Sequence, residues 1–119
     1  MDLRQIGRVA RYLLDTSSAA PSREALERSA VSRYYFEAHH ESRRFLEQRG
    51  HAIPRRGTHQ FVADRVAGYS ADAARMLDAL FQRRNRAEYE IDDAWRSEVV
   101  AEAERAVEEI RATLAALDS

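Results

Sequence analysis

This chain predicts an all-α fold: an antiparallel up-and-down helical bundle of about five helices, forming a single domain over residues 1–119. Three observations carry the prediction. Apolar residues recur three and four positions apart along most of the length, the spacing that lines one face of a helix. No stretch of useful length alternates apolar with polar residues as a half-buried strand does. Only four Gly and two Pro occur in 119 residues, so breaks are few and helices long. A chain of this size can bury a core without metal or disulfide support.

The first predicted helix reads from Asp2, as N-cap, through Leu3, Ile6, Val9, Leu13 and Leu14. Residues 16–22, rich in Ser and Ala, connect it to a second helix that runs to about Arg49. Leu26, Val31, Tyr34, Tyr35, Ala38, Phe45 and Leu46 mark the inner face of that helix, and Gly50 suits its C-cap. Arg43, Arg44 and Arg49 complement the dipole at its C-terminal end. A loop over residues 51–57 follows. Thr58 is placed to cap a third helix, with Phe61, Val62 and Val66, that stops at Gly68. Ser70 caps the fourth, residues 71–87, whose inner stripe is Leu77, Leu80 and Phe81. Asp92 and Asp93 stand where the fifth needs an N-cap, and its face runs from Trp95 and Val99 to Leu117.

Composition excludes several classes of function. Without cysteine there are no disulfides, zinc thiolates or cysteine nucleophiles. No apolar run approaches membrane-spanning length and no leader-like segment opens the chain, so the expectation is a cytoplasmic protein with no membrane partner. There is no phosphate-binding Gly-rich loop, no Gly-x-Ser-x-Gly elbow and no His-Glu-x-x-His zinc motif, and neither cofactor nor metal is expected. Every basic residue is Arg. Residues 1–87 hold 16 Arg against 10 carboxylates, net +6, whereas residues 88–119 hold 3 against 10, net −7. That asymmetry fits either an anion-binding region beside an acidic flank or a polar last helix balancing the rest.

The segment Arg83-Arg84-Asn85-Arg86-Ala87-Glu88-Tyr89 breaks the pattern of its helix. Arg84 follows Leu77 and Leu80 at helical spacing, so a guanidinium stands on the face where a core residue belongs. Such a charge must be paired or line a wet cleft. Glu88, four residues on, is its obvious partner if the role is structural. Other features compete for attention. Tyr34 and Tyr35 are adjacent and cannot face the same way; one is expected in the core, and for the other core packing is favoured over a dimer surface or a base. Glu37 and His40 form a Glu-x-x-His step, but the chain lacks the second such step that a bundle metal site requires. His51, Arg55, Arg56 and His59 flank the Pro-containing loop and form a second candidate for contact with anions. Trp95 is read as a packing anchor.

Three segments resemble a known family. Residues 32–50, beginning Ser-Arg-Tyr-Tyr and ending in an apolar turn and Gly50, resemble the Ser-Arg-x-Tyr-Tyr helix of HEPN-domain proteins. Thr58-His59-Gln60 is similar to the small-residue–His–Lys step that opens the next helix in one branch of that family. Arg84-Asn85-Arg86-Ala87-Glu88-Tyr89-Glu90 is similar to that branch's Arg-Asn-x-Ala-Asp-Tyr-Asp element. The three occur in the family's order and cover most of residues 30–112.

The resemblance implies a HEPN-like bundle that pairs with itself, with the Arg motif in the cleft between protomers. It also implies an RNA- or nucleotide-associated role, as a toxin–antitoxin or defence component whose partner is a minimal nucleotidyltransferase antitoxin. Catalytic members carry Arg, four to six residues, then His; here the fifth residue after Arg84 is Tyr89. A phenol, with a pKa of about 10, is a poor base at neutral pH compared with imidazole. Phosphate contact by Arg84, with Arg83 and Arg86 supplying field and Asn85 and Tyr89 orienting groups, is therefore expected to outlast cleavage of RNA. Two alternatives stay open: a non-catalytic protein-interaction module, and a weak metal-independent ribonuclease using His59 as base.

Overall fold

The computed structural model describes residues 22–90 and 94–118, so the first predicted helix and the Asp92–Asp93 cap lie outside the described residues. Those described form four helices and no strand: α1 (Ser22–Gln48), α2 (Thr58–Ala67), α3 (Ala71–Tyr89) and α4 (Glu98–Asp118). Among them no helix is long and apolar enough to cross a membrane.

Local chemistry sets the helix ends. At the end of α1, Gly50 adopts φ 86°, the left-handed region where a side chain is disfavoured. Its N–H meets the Glu47 carbonyl and the His51 N–H meets that of Leu46, which is a Schellman termination. Ser70 caps α3 as expected, its hydroxyl accepting from the Ala73 N–H at 3.1 Å. Thr58 is different. It is already the first helical residue, and Gly57, at φ 63°, is the N-cap of α2. The Thr58 hydroxyl instead donates back to the Pro54 carbonyl at 3.2 Å, bracing the preceding loop. α4 begins at Glu98, so Trp95 precedes the helix. Its ring still packs against the core.

α1 is the axis of the bundle, and the pairing along it gives the directions of its neighbours. Arg28 meets Ala87 and Tyr35 meets Phe81, so α3 runs antiparallel to α1. Glu27 meets Ser97, Tyr34 meets Glu104 and Glu37 meets Arg111, so α4 runs in the same direction as α1. α2 also runs with α1, since Tyr35 meets His59 and Phe45 meets Tyr69. The strict alternation expected of an up-and-down bundle is absent here. Residues 50–57, with Ile53 packed on the core, carry the chain back along α1 before α2 begins, which resets its direction.

This arrangement explains how both adjacent tyrosines are core residues, each 3% exposed, as their place on the predicted inner face implies. A helix packed on two sides buries a wide arc, and residues 100° apart can each find a neighbour. Tyr34 points to α4, its hydroxyl 3.2 Å from Glu104, while Tyr35 points to α2 and α3. Glu37 is also buried, and its carboxylate is held by Arg111, with Glu41 beside it at 3.4 Å. That pairing commits Glu37 to joining α1 to α4.

Candidate functional site

Arg84 lies on α3 where it faces α1, one turn beyond the buried Leu77–Leu80 stripe. Its side chain is 19% exposed, and it forms an ion pair with Glu88 at 3.0 Å. Glu88 is itself held across the interface by the Ser32 hydroxyl at 2.8 Å. The Ser–Glu–Arg chain therefore ties the two helices and fixes the guanidinium in place. A second Arg84 nitrogen lies 3.4 Å from the Asn85 side-chain oxygen, a long contact. The Nε of Arg84 is buried and meets no acceptor. The guanidinium stands 5.0 Å from the centroid of the Phe36 ring and 5.8 Å from that of Tyr35, within cation–π range of both.

Tyr35 connects this cation to His59. Its hydroxyl is 2.9 Å from His59 Nδ1, and His59 Nε2 is 3.1 Å from the Asp78 carboxylate. The imidazole stacks on Phe81, with centroids 3.7 Å apart and planes 12° from parallel. Burial pushes the Tyr35 phenol well above its usual pKa; Arg84 opposes that and Asp78 adds to it, so the phenol keeps its proton. In the neutral imidazole, Asp78 can only accept, which places the ring proton on Nε2 and leaves Nδ1 accepting from Tyr35. Both nitrogens are then committed, and a base needs a free lone pair within reach of its substrate.

His39, half-buried on the same side of α1, is depressed to about 4, first by burial and then by the charges of His59, Arg43 and His40; a bond with the Thr58 backbone opposes the shift. His40 is exposed.

The heptapeptide does not act as one patch. Arg83 turns toward α4, 3.6 Å from Glu102, and with Arg86 it lines a separate pocket of about 250 Å³ beside Trp95 and Arg96. Arg86 is exposed. Tyr89, the last residue of α3, is 72% exposed. Arg55 and Arg56 are exposed in the loop before α2. Arg84, Asn85 and Glu88 therefore share one face with Phe36, with His59 linked through Tyr35, while Arg83 and Arg86 occupy another face.

Two residues that matter here carry weaker sequence signals. Arg28 is 8% exposed and donates one nitrogen to the Arg86 and Ala87 carbonyls, both at 3.0 Å, and to that of Glu90 at 3.4 Å. It caps the C-terminus of α3, the helix end that carries the motif. In sequence it is indistinguishable from a surface partner of Glu24, which it also contacts at 3.0 Å. Phe36 is 49% exposed beside Arg84. Its signal is legible: Ser29, Arg33, Phe36 and His40 fall on one helical face, and Phe36 is the apolar residue on that polar stripe.

Comparison of the chain with protein-family models, with curated proteins and with solved structures finds no match.

Proposed function

We propose that this chain is a HEPN-like RNA- or nucleotide-associated protein, a toxin–antitoxin or defence component acting as a homodimer, in which Arg84 contacts phosphate. Under this reading ribonuclease activity is reduced or absent, and a minimal nucleotidyltransferase antitoxin is the cognate partner. The observation that carries it is the state of the Arg84 guanidinium: oriented by Glu88 and partly open to solvent on the face where α1 meets α3. An oriented guanidinium that reaches solvent suits the oxygens of a phosphate, which it binds through charge-assisted bonds. The committed lone pair of His59 and the phenol at position 89 both argue for binding over cleavage. One further observation favours the interaction-module alternative: Tyr89 presents a large ring to solvent at the end of the motif.

The test is binding of single-stranded RNA across a salt series, with Arg84→Ala and Arg84→Lys. Wild-type affinity is expected to fall steeply with salt, Arg84→Ala to abolish binding at moderate salt, and Arg84→Lys to retain part of it. Arg84→Ala binding RNA as tightly as wild type refutes the assignment. Loss of a dimer in that variant, with wild-type RNA binding never detectable, supports the interaction module instead.

A further inference from the structure

The geometry points to Phe36 as a stacking platform for an unpaired nucleobase, which makes single-stranded rather than duplex RNA the ligand class of the Arg84 face; this rests on the phosphate-contact reading above. Phe36 is half exposed, although α1 has buried surface for aromatic residues and places Tyr34 and Tyr35 there. Its neighbours hold it in a defined orientation. Tyr35 meets it edge-on, with centroids 5.4 Å apart and planes 61° apart, and Arg84 stands over it at 5.0 Å. A fixed ring beside a fixed cation matches the repeat of a single strand, in which each base is followed by a phosphate.

The surroundings favour a base over a protein partner. Ser29, Arg33 and His40 share its helical face with Phe36, and from α3 Arg84 stands against it, with Asn85 and Glu88 beside Arg84. A stable protein interface needs a contiguous core of apolar contact with charge depleted at its centre. Here one aromatic ring stands among polar and cationic groups. Arg33, one turn before Phe36 and partly exposed, adds a second cationic side chain to this stripe. Stacking on an exposed ring needs an unpaired base face, which a duplex does not offer.

The experiment measures fluorescence anisotropy of the full chain with a labelled single-stranded RNA of roughly eight nucleotides and with the same sequence as a duplex. Wild type, Phe36→Ala and Phe36→Trp are compared across a salt series, with circular dichroism confirming folding and sedimentation giving the oligomeric state. Phe36→Ala is expected to weaken single-strand binding on the order of ten-fold while leaving the salt slope unchanged, because no phosphate contact is removed. Phe36→Trp is expected to restore or improve the affinity, and the duplex is expected to bind more weakly than the single strand. If wild type binds RNA and Phe36→Ala binds it equally well, the platform is refuted while the phosphate reading stands. Preference for the duplex also overturns the platform. If wild type binds no RNA even at low salt, the phosphate reading itself fails. Dissociation of a dimer by Phe36→Ala, with unchanged affinity per protomer, assigns the ring to a second copy instead.

Discussion

Replacing Arg28 by Met should loosen the end of α3 that carries the motif, and the cost can be worked from its contacts. The guanidinium gives two good bonds to the Arg86 and Ala87 carbonyls and a long one to Glu90. Hydrogen bonds from a charged donor contribute about 1.5–3 kcal/mol each, although part-buried carbonyls recover some of this from water. The pair with Glu24 adds little, since that carboxylate is 52% exposed. The stack on Trp95, with the guanidinium 4.6 Å from the ring centroid, adds a modest cation–π attraction, which Met replaces in part by packing. The expected loss is about 3 kcal/mol, which for a domain of this size lowers Tm by roughly 10 °C. Urea unfolding gives the total, and amide exchange gives the location. Protection should fall most at the end of α3, whose last-turn carbonyls lose their cap. A loss below about 0.5 kcal/mol, or exchange that rises evenly along α3, would refute the view that Arg28 is its cap.

Two other consequences are measurable. His39 is depressed from 6.5 to about 4, so the folded state resists its protonation; the stability it contributes is complete above pH 6.5 and is lost as pH falls toward 4. After discounting for partial exposure the loss is about 1–2 kcal/mol, and His39→Gln should flatten stability against pH over that interval. Arg111→Met should strand the buried Glu37 carboxylate at a cost of about 3–5 kcal/mol, whereas the double replacement Glu37→Leu with Arg111→Met should recover most of it, as paired denaturation curves would reveal.

Features written locally were legible in the sequence. Gly50 ends α1 and Ser70 starts α3 because each acts on backbone groups within a few residues of itself. The face through Leu77 and Leu80 is buried as the periodicity implies, and Glu88 pairs with Arg84 from one turn away. What escaped was set by distant neighbours. The direction of α2 depends on how residues 50–57 fold back on the core, and no local signal encodes that path. Which neighbour each of Tyr34 and Tyr35 meets depends on α1 having packed helices on two sides. The role of Arg28 depends on carbonyls 58 and 59 positions away.

The run of arginines shows why charge clustered in sequence is a poor guide to charge clustered in space. Successive residues on a helix point about 100° apart, so Arg83 and Arg84 must diverge, and Arg86 lies closer to Arg83 than to Arg84 around the axis. α1 covers the Arg84 side of α3, while Glu102 of α4 holds Arg83 on the other. On the proposed reading a phosphate on this face is contacted by Arg84, whereas Arg83 and Arg86 act on it only through their field. That field decays within a Debye length of about 8–10 Å at physiological salt, so it can steer an approaching strand but cannot replace a direct contact. If the proposal holds, specificity at this site comes from groups that touch the ligand, and on the face where α1 meets α3 the Arg84 guanidinium and the Phe36 ring stand next to each other.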